Sequence, residues 1–211
     1  MVLFVLDQTF NTNTIPIQGQ TINFSLEWDI ISFRDLILKD TGIDIDLYPD
    51  VKDLYQETLR KNINLEHSDI ESLGRGNFID LLYKKMCRPQ LVKPTFLIKH
   101  PIDLSPLARA NDQNPALTDR FQLVVNGAEI INAYSELVDP LEQRRRLEAQ
   151  AHLKSNGDLE AMEMDEDYLI AMEYGMPPIS GWGFGIERLL MVLTDSDTIK
   201  DCVLFPLTKK L

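Results

Sequence analysis

Apolar and polar positions along this chain change period several times, and each change marks an element. Residues 1–20 are poor in charge and carry Asn, Thr and Gln, which predicts a strand followed by a loose connection. Thr21 to Ser25 alternates and suits a short strand. Ser32-Phe33-Arg34-Asp35 has the form of a capping box, and Gly42 is placed to stop the helix that follows. Asp50 is placed to cap a helix running through Lys61, with Val51, Leu54, Tyr55 and Leu59 on its buried face. Asn77 to Cys87 is amphipathic at helical spacing, and Pro94 to Lys99 reads as a strand. Phe121 to Val125, the Asn126-Gly127 turn and Glu129 to Glu136 predict an antiparallel hairpin, because Asn-Gly tolerates the positive φ angles of a type I′ turn. Asp139-Pro140-Leu141-Glu142 starts a helix that ends by Gly157, and Asp165 starts another that ends at Gly175. A strand and a helix follow over Gly181 to Leu193, and Cys202 to Phe205 reads as a last short strand. Hairpins mixed with amphipathic helices, without regular βαβ alternation, predict an α+β fold with an antiparallel sheet flanked by helices.

The composition suits one globular domain. Of 211 residues, 44% are hydrophobic and 26% charged, enough to build a core. The natural division is a loosely defined strand and linker over residues 1–20 and a domain over residues 21–211. No stretch approaches the roughly 20 apolar residues of a membrane span, and Met1 to Leu6 is too short for a signal-peptide core. The formal charge of −12 argues against nucleic acid binding as the main surface property, while leaving room for a local basic patch that holds an RNA end. Arg144-Arg145-Arg146 lies near Glu142 and Glu148 and reads as a solvated helix face; Lys209-Lys210 is a second basic cluster. Cys87 and Cys202 are isolated and read as thiols in a reducing cytosol, so a cytoplasmic protein is expected. His67, His100 and His152 have neither metal spacing nor a nucleophile partner and receive no role.

Two segments carry candidate chemistry. Gly181-Trp182-Gly183-Phe184-Gly185-Ile186-Glu187-Arg188 places glycines at alternate strand positions, then an arginine in the first turn of a helix. Open backbone, a helix start and a planar cationic fork make an anion site. A glycine-relieved strand on a core helix, with Arg188 on the surface, accounts for the spacing equally well. Asn132, Tyr134 and Glu136 fall at period two on one strand face. An amide, a ring and a carboxylate there suit an amino-acid pocket, or else a solvent-facing strand edge.

Gly181 to Arg188 resembles motif 3 of the class II aminoacyl-tRNA synthetases, and Asn126 to Leu137 closely resembles the lysine-binding segment of the class II lysyl-tRNA synthetases. The resemblance runs from about Gln20 to Phe205 and is dense in Ser105 to Arg109, Asp119-Arg120-Phe121, Asp165 to Tyr168, Thr198 to Asp201 and Leu204 to Pro206. It implies the partial catalytic fold of that class. It also implies a lysine–tRNA ligase: lysine attacks the α-phosphate of ATP, pyrophosphate leaves, and the 3′ end of tRNA takes the lysyl group. On this resemblance Asn132 meets the lysine carboxylate, Glu136 meets the side-chain ammonium and Tyr134 lines the pocket. Gly183, Gly185 and Arg188 take ATP, with Arg188 as the catalytic arginine on its terminal phosphates. Glu129 resembles a glutamate that binds Mg²⁺. Ideal alternation puts Glu129 on the opposite face from Asn132, so both roles hold only if a β-bulge lies between them. Gln122 stands where a second metal-binding glutamate is expected, which implies weaker binding of Mg²⁺ and ATP. Glu187 reads as support for the helix start, and Arg109 as structural.

The resemblance also marks what this sequence does not contain. Motif 1 with its dimer interface, the motif 2 arginine for the α-phosphate, further lysine-binding positions after motif 2 and the anticodon-binding OB-fold have no counterpart. The chain is therefore expected to be inactive alone. It reads as a fragment of a complete enzyme, as one half of a split enzyme completed by an N-terminal half or as a homodimer, or as a non-catalytic synthetase-like binding module. An enzyme that lysylates protein instead of tRNA is a further alternative.

Overall fold

The computed structural model describes residues 1–66 and 72–206, so His67 and Lys209-Lys210 lie outside the described residues. Its main sheet has five strands in the order β3 (Asp29–Ser32), β4 (Thr95–Ile98), β5 (Arg120–Val125), β6 (Ala128–Ser135) and β7 (Ser180–Phe184). Every neighbouring pair is antiparallel except β3 and β4, which run parallel at one edge. A separate hairpin joins β1 (Thr14–Ile17) to β2 (Gln20–Asn23). The β5–β6 turn has φ of 48° at Asn126 and 70° at Gly127, the pair of positive angles that a type I′ turn demands.

The helices start and stop where their capping residues dictate. In α2 (Phe33–Thr41) the Ser32 hydroxyl accepts from the Asp35 N–H at 3.1 Å, and Gly42 ends the helix in the left-handed region. Asp50 caps α3 (Val51–Arg60) through the Lys52 N–H at 2.7 Å. Asp139 caps α5 (Pro140–Ser155), with proline in the first turn, and Asp165 caps α6 (Glu166–Glu173). In α3, Leu59 is exposed and Thr58 is buried instead, its hydroxyl satisfied by Tyr55 O at 2.7 Å. The amphipathic segment from Asn77 forms α4 (Arg75–Leu82) and continues as a π turn over Tyr83–Cys87.

Both ends of the chain depart from expectation: the strand within residues 1–20 is β1, and a helix comes before it. Residues 2–10 form a helix, α1 (Val2–Phe10), in which Val2 and Leu6 are buried one turn apart. The short apolar run fits either element, and here the i, i+4 pair is what meets the core. At the other end Ile199–Cys202 is a short 3-10 turn, and Leu204 and Phe205 are 92% and 91% exposed. A short apolar run does not make a strand without a partner edge.

The core lies on both sheet faces. One face packs Leu97 and Val124 against Phe33, Leu36 and Ile37 of α2, Leu54 of α3 and Phe78 of α4. The other packs Leu123, Val125 and Ile130 against α1, the β1–β2 hairpin, and Leu189, Val192 and Leu193 of α7 (Ile186–Thr194). Residues 1–20 are thus packed into the domain through Val2, Leu6, Ile15 and Ile17. The helices of the first face leave the β6–β7 end of that same face open, and the candidate residues gather there.

Candidate functional site

The β5–β6 ladder contains the expected irregularity. Leu123 pairs with Ile131, but Val124 pairs with Glu129, so Ile130 is an extra residue on β6 and is buried in the core. The inserted residue reverses the parity of the strand. Glu129 therefore shares a face with Asn132, Tyr134 and Glu136. The contacts agree: Gln122, opposite Asn132, donates its Nε2 to Glu129 Oε2 at 2.6 Å.

The bulge also fixes the start of α7. The Ile130 carbonyl accepts from the Gly185 N–H at 2.9 Å, and Gly185 is the N-cap of that helix. Arg188, in the first turn, folds back to donate its Nη1 to the Glu129 carbonyl at 3.1 Å, with Glu129 Oε1 3.8 Å away. Its side chain is 48% exposed. A Cβ on Gly185 would press on Arg188 Cδ at 3.3 Å.

Strand β7 contributes bare backbone. Gly181 lies opposite Tyr134, and Gly183 opposite Asn132, so both glycines face the site while Trp182 and Phe184 face away. Gly183 has open space above it, since the nearest atom to an added Cβ is Asn132 O at 3.8 Å. Gly181 is different, because a Cβ there would collide with Glu136 Oε1. The Glu136 carboxylate thus lies over Gly181. Burial raises its pKa above the ordinary carboxylate value. Burial does the same to Tyr134, and to Tyr168 at the start of α6, whose phenol also feels Glu136 and Tyr134.

Two further residues at this face escaped the sequence reading. His100 is buried, and its Nε2 faces Gln122 Oε1 at 3.1 Å. Because Glu129 can only accept, Gln122 must turn its amide nitrogen to Glu129 and its oxygen to His100, which makes His100 Nε2 the donor. His100 Nδ1 has no partner among the described residues, and burial lowers the pKa of the ring to about 3. Arg120 donates its Nε to Asn132 Oδ1 at 3.0 Å and its Nη1 to Leu104 O at 3.1 Å and Ser105 Oγ at 2.9 Å. It is two residues before Gln122 on one strand, so the same period-two count that picked out Asn132, Tyr134 and Glu136 would have found it.

Arg120, Asn132 and Tyr134 line a cavity of about 170 Å³ together with Ser105, Ala108 and Met162. Larger hollows of about 340 and 650 Å³ lie off this face, beside Arg145 and at the start of α6. Their charges are largely spent on one another: Arg145 and Arg146 pair with Glu142, Arg144 with Glu166, and Lys154 with Glu163. The Arg144 to Arg146 run is therefore ion-paired, and Arg109 makes an exposed pair with Asp112 at 2.5 Å. Cys87 and Cys202 are free, and burial pushes the Cys87 thiol up to about 12.

The face suits an elongated, charged ligand, with a carboxylate at one end, an amide and a guanidinium in the middle, and an arginine over a bare floor at the other. Its fit to a divalent cation is partial. No three His, Cys, Asp or Glu side chains among the described residues converge as a metal shell. Gln122 presents a nitrogen to Glu129, leaving only Glu129 Oε1 turned away from it. One carboxylate suits a Mg²⁺ ion that arrives on phosphates and keeps its waters; it does not suit one held between two protein carboxylates. No helix among the described residues is long and apolar enough to cross a membrane.

A family model described as class II tRNA synthetases (D, K and N) matches residues 3–209. The lysine–tRNA ligase of Nostoc punctiforme is 40% identical over 209 residues, which is 99% of this chain and 37% of that protein. The lysine–tRNA ligase of Moorella thermoacetica is 40% identical over 206 residues, 98% of this chain and 41% of that protein. That of Thermotoga maritima is 41% identical over 209 residues, 99% of this chain and 40% of that protein. The chain spans about two fifths of the length of these curated relatives.

Proposed function

Because this chain belongs to the class II tRNA synthetases (D, K and N), we propose that it is the C-terminal part of the catalytic domain of a lysine–tRNA ligase, holding lysine and ATP on its open sheet face. The observation that carries the reading is the Ile130 bulge, which brings Glu129 onto the face of Asn132, Tyr134 and Glu136 and ties the Arg188 helix to the same point. Glu136 takes the lysine ammonium. A desolvated carboxylate rewards a cationic side chain far more than an apolar pocket would. Asn132 takes the α-carboxylate, four residues away on the same face, which at roughly 3.3 Å per residue suits an extended lysine between two hydrogen bonds. Tyr134 walls the space between them.

ATP lies over Gly183 and Gly185, with Arg188 and the α7 N-terminus on its terminal phosphates, where they stabilise charge as pyrophosphate leaves. Bound Mg²⁺ would neutralise phosphate charge, with Glu129 as its one protein ligand. In the whole protein tRNA accepts the lysyl group, in the cytoplasm, and a further N-terminal half or a second copy completes the site. One contact favours a second reading. The Gln122–Glu129 hydrogen bond closes a carboxylate that a nucleotide-bound cation would use, as expected of a synthetase-like module that holds an amino acid without activating it.

Calorimetric titration with L-lysine and L-norleucine tests the amino-acid site. L-lysine is expected to bind and norleucine, which lacks the ammonium, to bind poorly. Glu136→Gln should weaken lysine by about 30-fold or more, the cost of removing one partner of a buried charge pair. Equal affinity for the two ligands in the wild type, or no loss in Glu136→Gln, defeats the lysine reading.

A further inference from the structure

Among the described residues Arg120 is a cation whose direct hydrogen-bond partners are all neutral. Its acceptors are the Asn132 side-chain carbonyl, the Leu104 carbonyl and the Ser105 hydroxyl, and no ion pair among the described residues includes it. Two carboxylates act on it through space without bonding it: Glu129 is committed to Gln122 through Oε2 and lies beside Arg188 through Oε1, and Asp80 pairs with Lys84. Burial lowers the pKa of Arg120 even though Glu129 and Asp80 act on it through space, so desolvation outweighs the carboxylates nearby. Charges taken out of water are as a rule paired. With Nε and Nη1 both anchored, the guanidinium cannot swing away to find a partner. Its Nη2 makes no hydrogen bond among the described residues, nor does the Asn132 amide nitrogen. Both groups line the same 170 Å³ cavity.

We propose that Arg120 is the anion site for the α-carboxylate of the bound amino acid: its Nη2 donates to the carboxylate, while its Nε holds Asn132 by the carbonyl so that the Asn132 amide donates to the same group. The proposal deepens the lysine reading above and rests on it. Arg120 thereby selects a free amino acid, with its negative carboxylate, over a carboxylate-capped one. A planar fork suits this task, since one edge is fixed to the protein and the other meets the ligand.

The test compares L-lysine with L-lysinamide, which keeps the ammonium groups and lacks the carboxylate charge. The wild-type chain is expected to favour L-lysine by roughly 10- to 100-fold, the range of one or two charge-assisted hydrogen bonds. Arg120→Gln should bring the two affinities to within about threefold by lowering lysine binding alone, and Arg120→Lys should fall between, because charge returns without the fork. A folded Arg120→Gln that keeps its preference, or that loses both ligands equally as a merely structural role requires, overturns the assignment and leaves the lysine reading standing. A wild type that binds neither ligand overturns both. Should the glutamine variant not fold, the wild type labelled with ¹⁵N-arginine decides: the Arg120 guanidinium resonance should shift with L-lysine and not with L-lysinamide. The same response to both, or none to L-lysine, overturns the proposal.

Discussion

The two ends of the site are held in different ways. On β5 and β6 the polar side chains hold one another: His100 to Gln122, Gln122 to Glu129, Arg120 to Asn132. On β7 the site-facing positions are glycines, and Arg188 of α7 is half-exposed, with one backbone carbonyl as its hydrogen-bond partner among the described residues. The first region has its geometry before a ligand arrives, so little ordering entropy is lost on binding. The second is a floor and one mobile-length side chain, shaped by what lies on it. On the proposed reading, selectivity for the amino acid is thus written into the sheet, whereas the grip on a nucleotide depends on phosphates, cations and whatever else completes the site.

The largest effect should come where the two regions meet. Gly181 belongs to β7, yet its missing side chain makes room for Glu136. In Gly181→Ala the new methyl would strike the far end of a flexible side chain, so Glu136 moves and the backbone stays. The melting temperature should change little, while lysine affinity falls by about 30-fold or more, as in the loss of a buried charge partner. Calorimetry with parallel thermal melts reads both. A variant that binds lysine normally would show that Glu136 does not need its place over Gly181.

A second, intermediate effect separates the regions by pH. His100 belongs to the ordered region, and its folded pKa of about 3 lies below its ordinary 6.5 because burial opposes the charge. Between those values the unfolded chain binds a proton that the folded chain does not, so stability falls as pH falls through that window. The slope approaches about 1.4 kcal/mol per pH unit for one group. Urea unfolding at pH 7, 6 and 5 should show a shallower acid loss in His100→Gln than in the wild type. Parallel curves for the two proteins would mean that His100 charges freely in the fold.

The same contrast governs what the sequence disclosed. The placement of Asn132, Tyr134 and Glu136 on one strand face and of Arg188 in the first turn of a helix was legible because period two and a helix start are local patterns. The caps at Ser32, Asp50, Asp139 and Asp165 were legible for the same reason. The bulge was legible only as a conflict, since two roles for one strand demanded an extra residue, and the register supplies it at Ile130. His100 was missed because its partner lies 22 residues away, and no local period reports a cross-strand contact. Arg120 falls at period two with Gln122 and so was within reach of a local count, but its contact to Asn132, 12 residues away, was not. Val2 to Phe10 was misread because a short apolar run fits a strand and a helix equally until its packing partners, Leu189 and Val192 among them, are known.

The smallest effect tests whether the ordered region has closed itself to the nucleotide end. In the wild type the Gln122 amide satisfies one Glu129 oxygen. Gln122→Glu replaces that donor with a second carboxylate, so two acceptors face each other with His100 donating to only one of them. Without a cation the variant should lose roughly 1 kcal/mol of stability, a hydrogen bond exchanged for a like-charge contact. Added Mg²⁺ should restore it, because a ligand that binds only the folded state stabilises it. Two carboxylate oxygens are also a better seat for a hard cation on phosphates. ATP binding in the presence of Mg²⁺ should therefore rise severalfold in the variant, and lysine affinity should not move. That pattern would make Gln122 a lesion in a site otherwise built for ATP. If Mg²⁺ alters neither stability nor ATP binding in either protein, while lysine still binds, the ordered region works without the floor beside it, and the amino-acid-binding module becomes the better description of this chain.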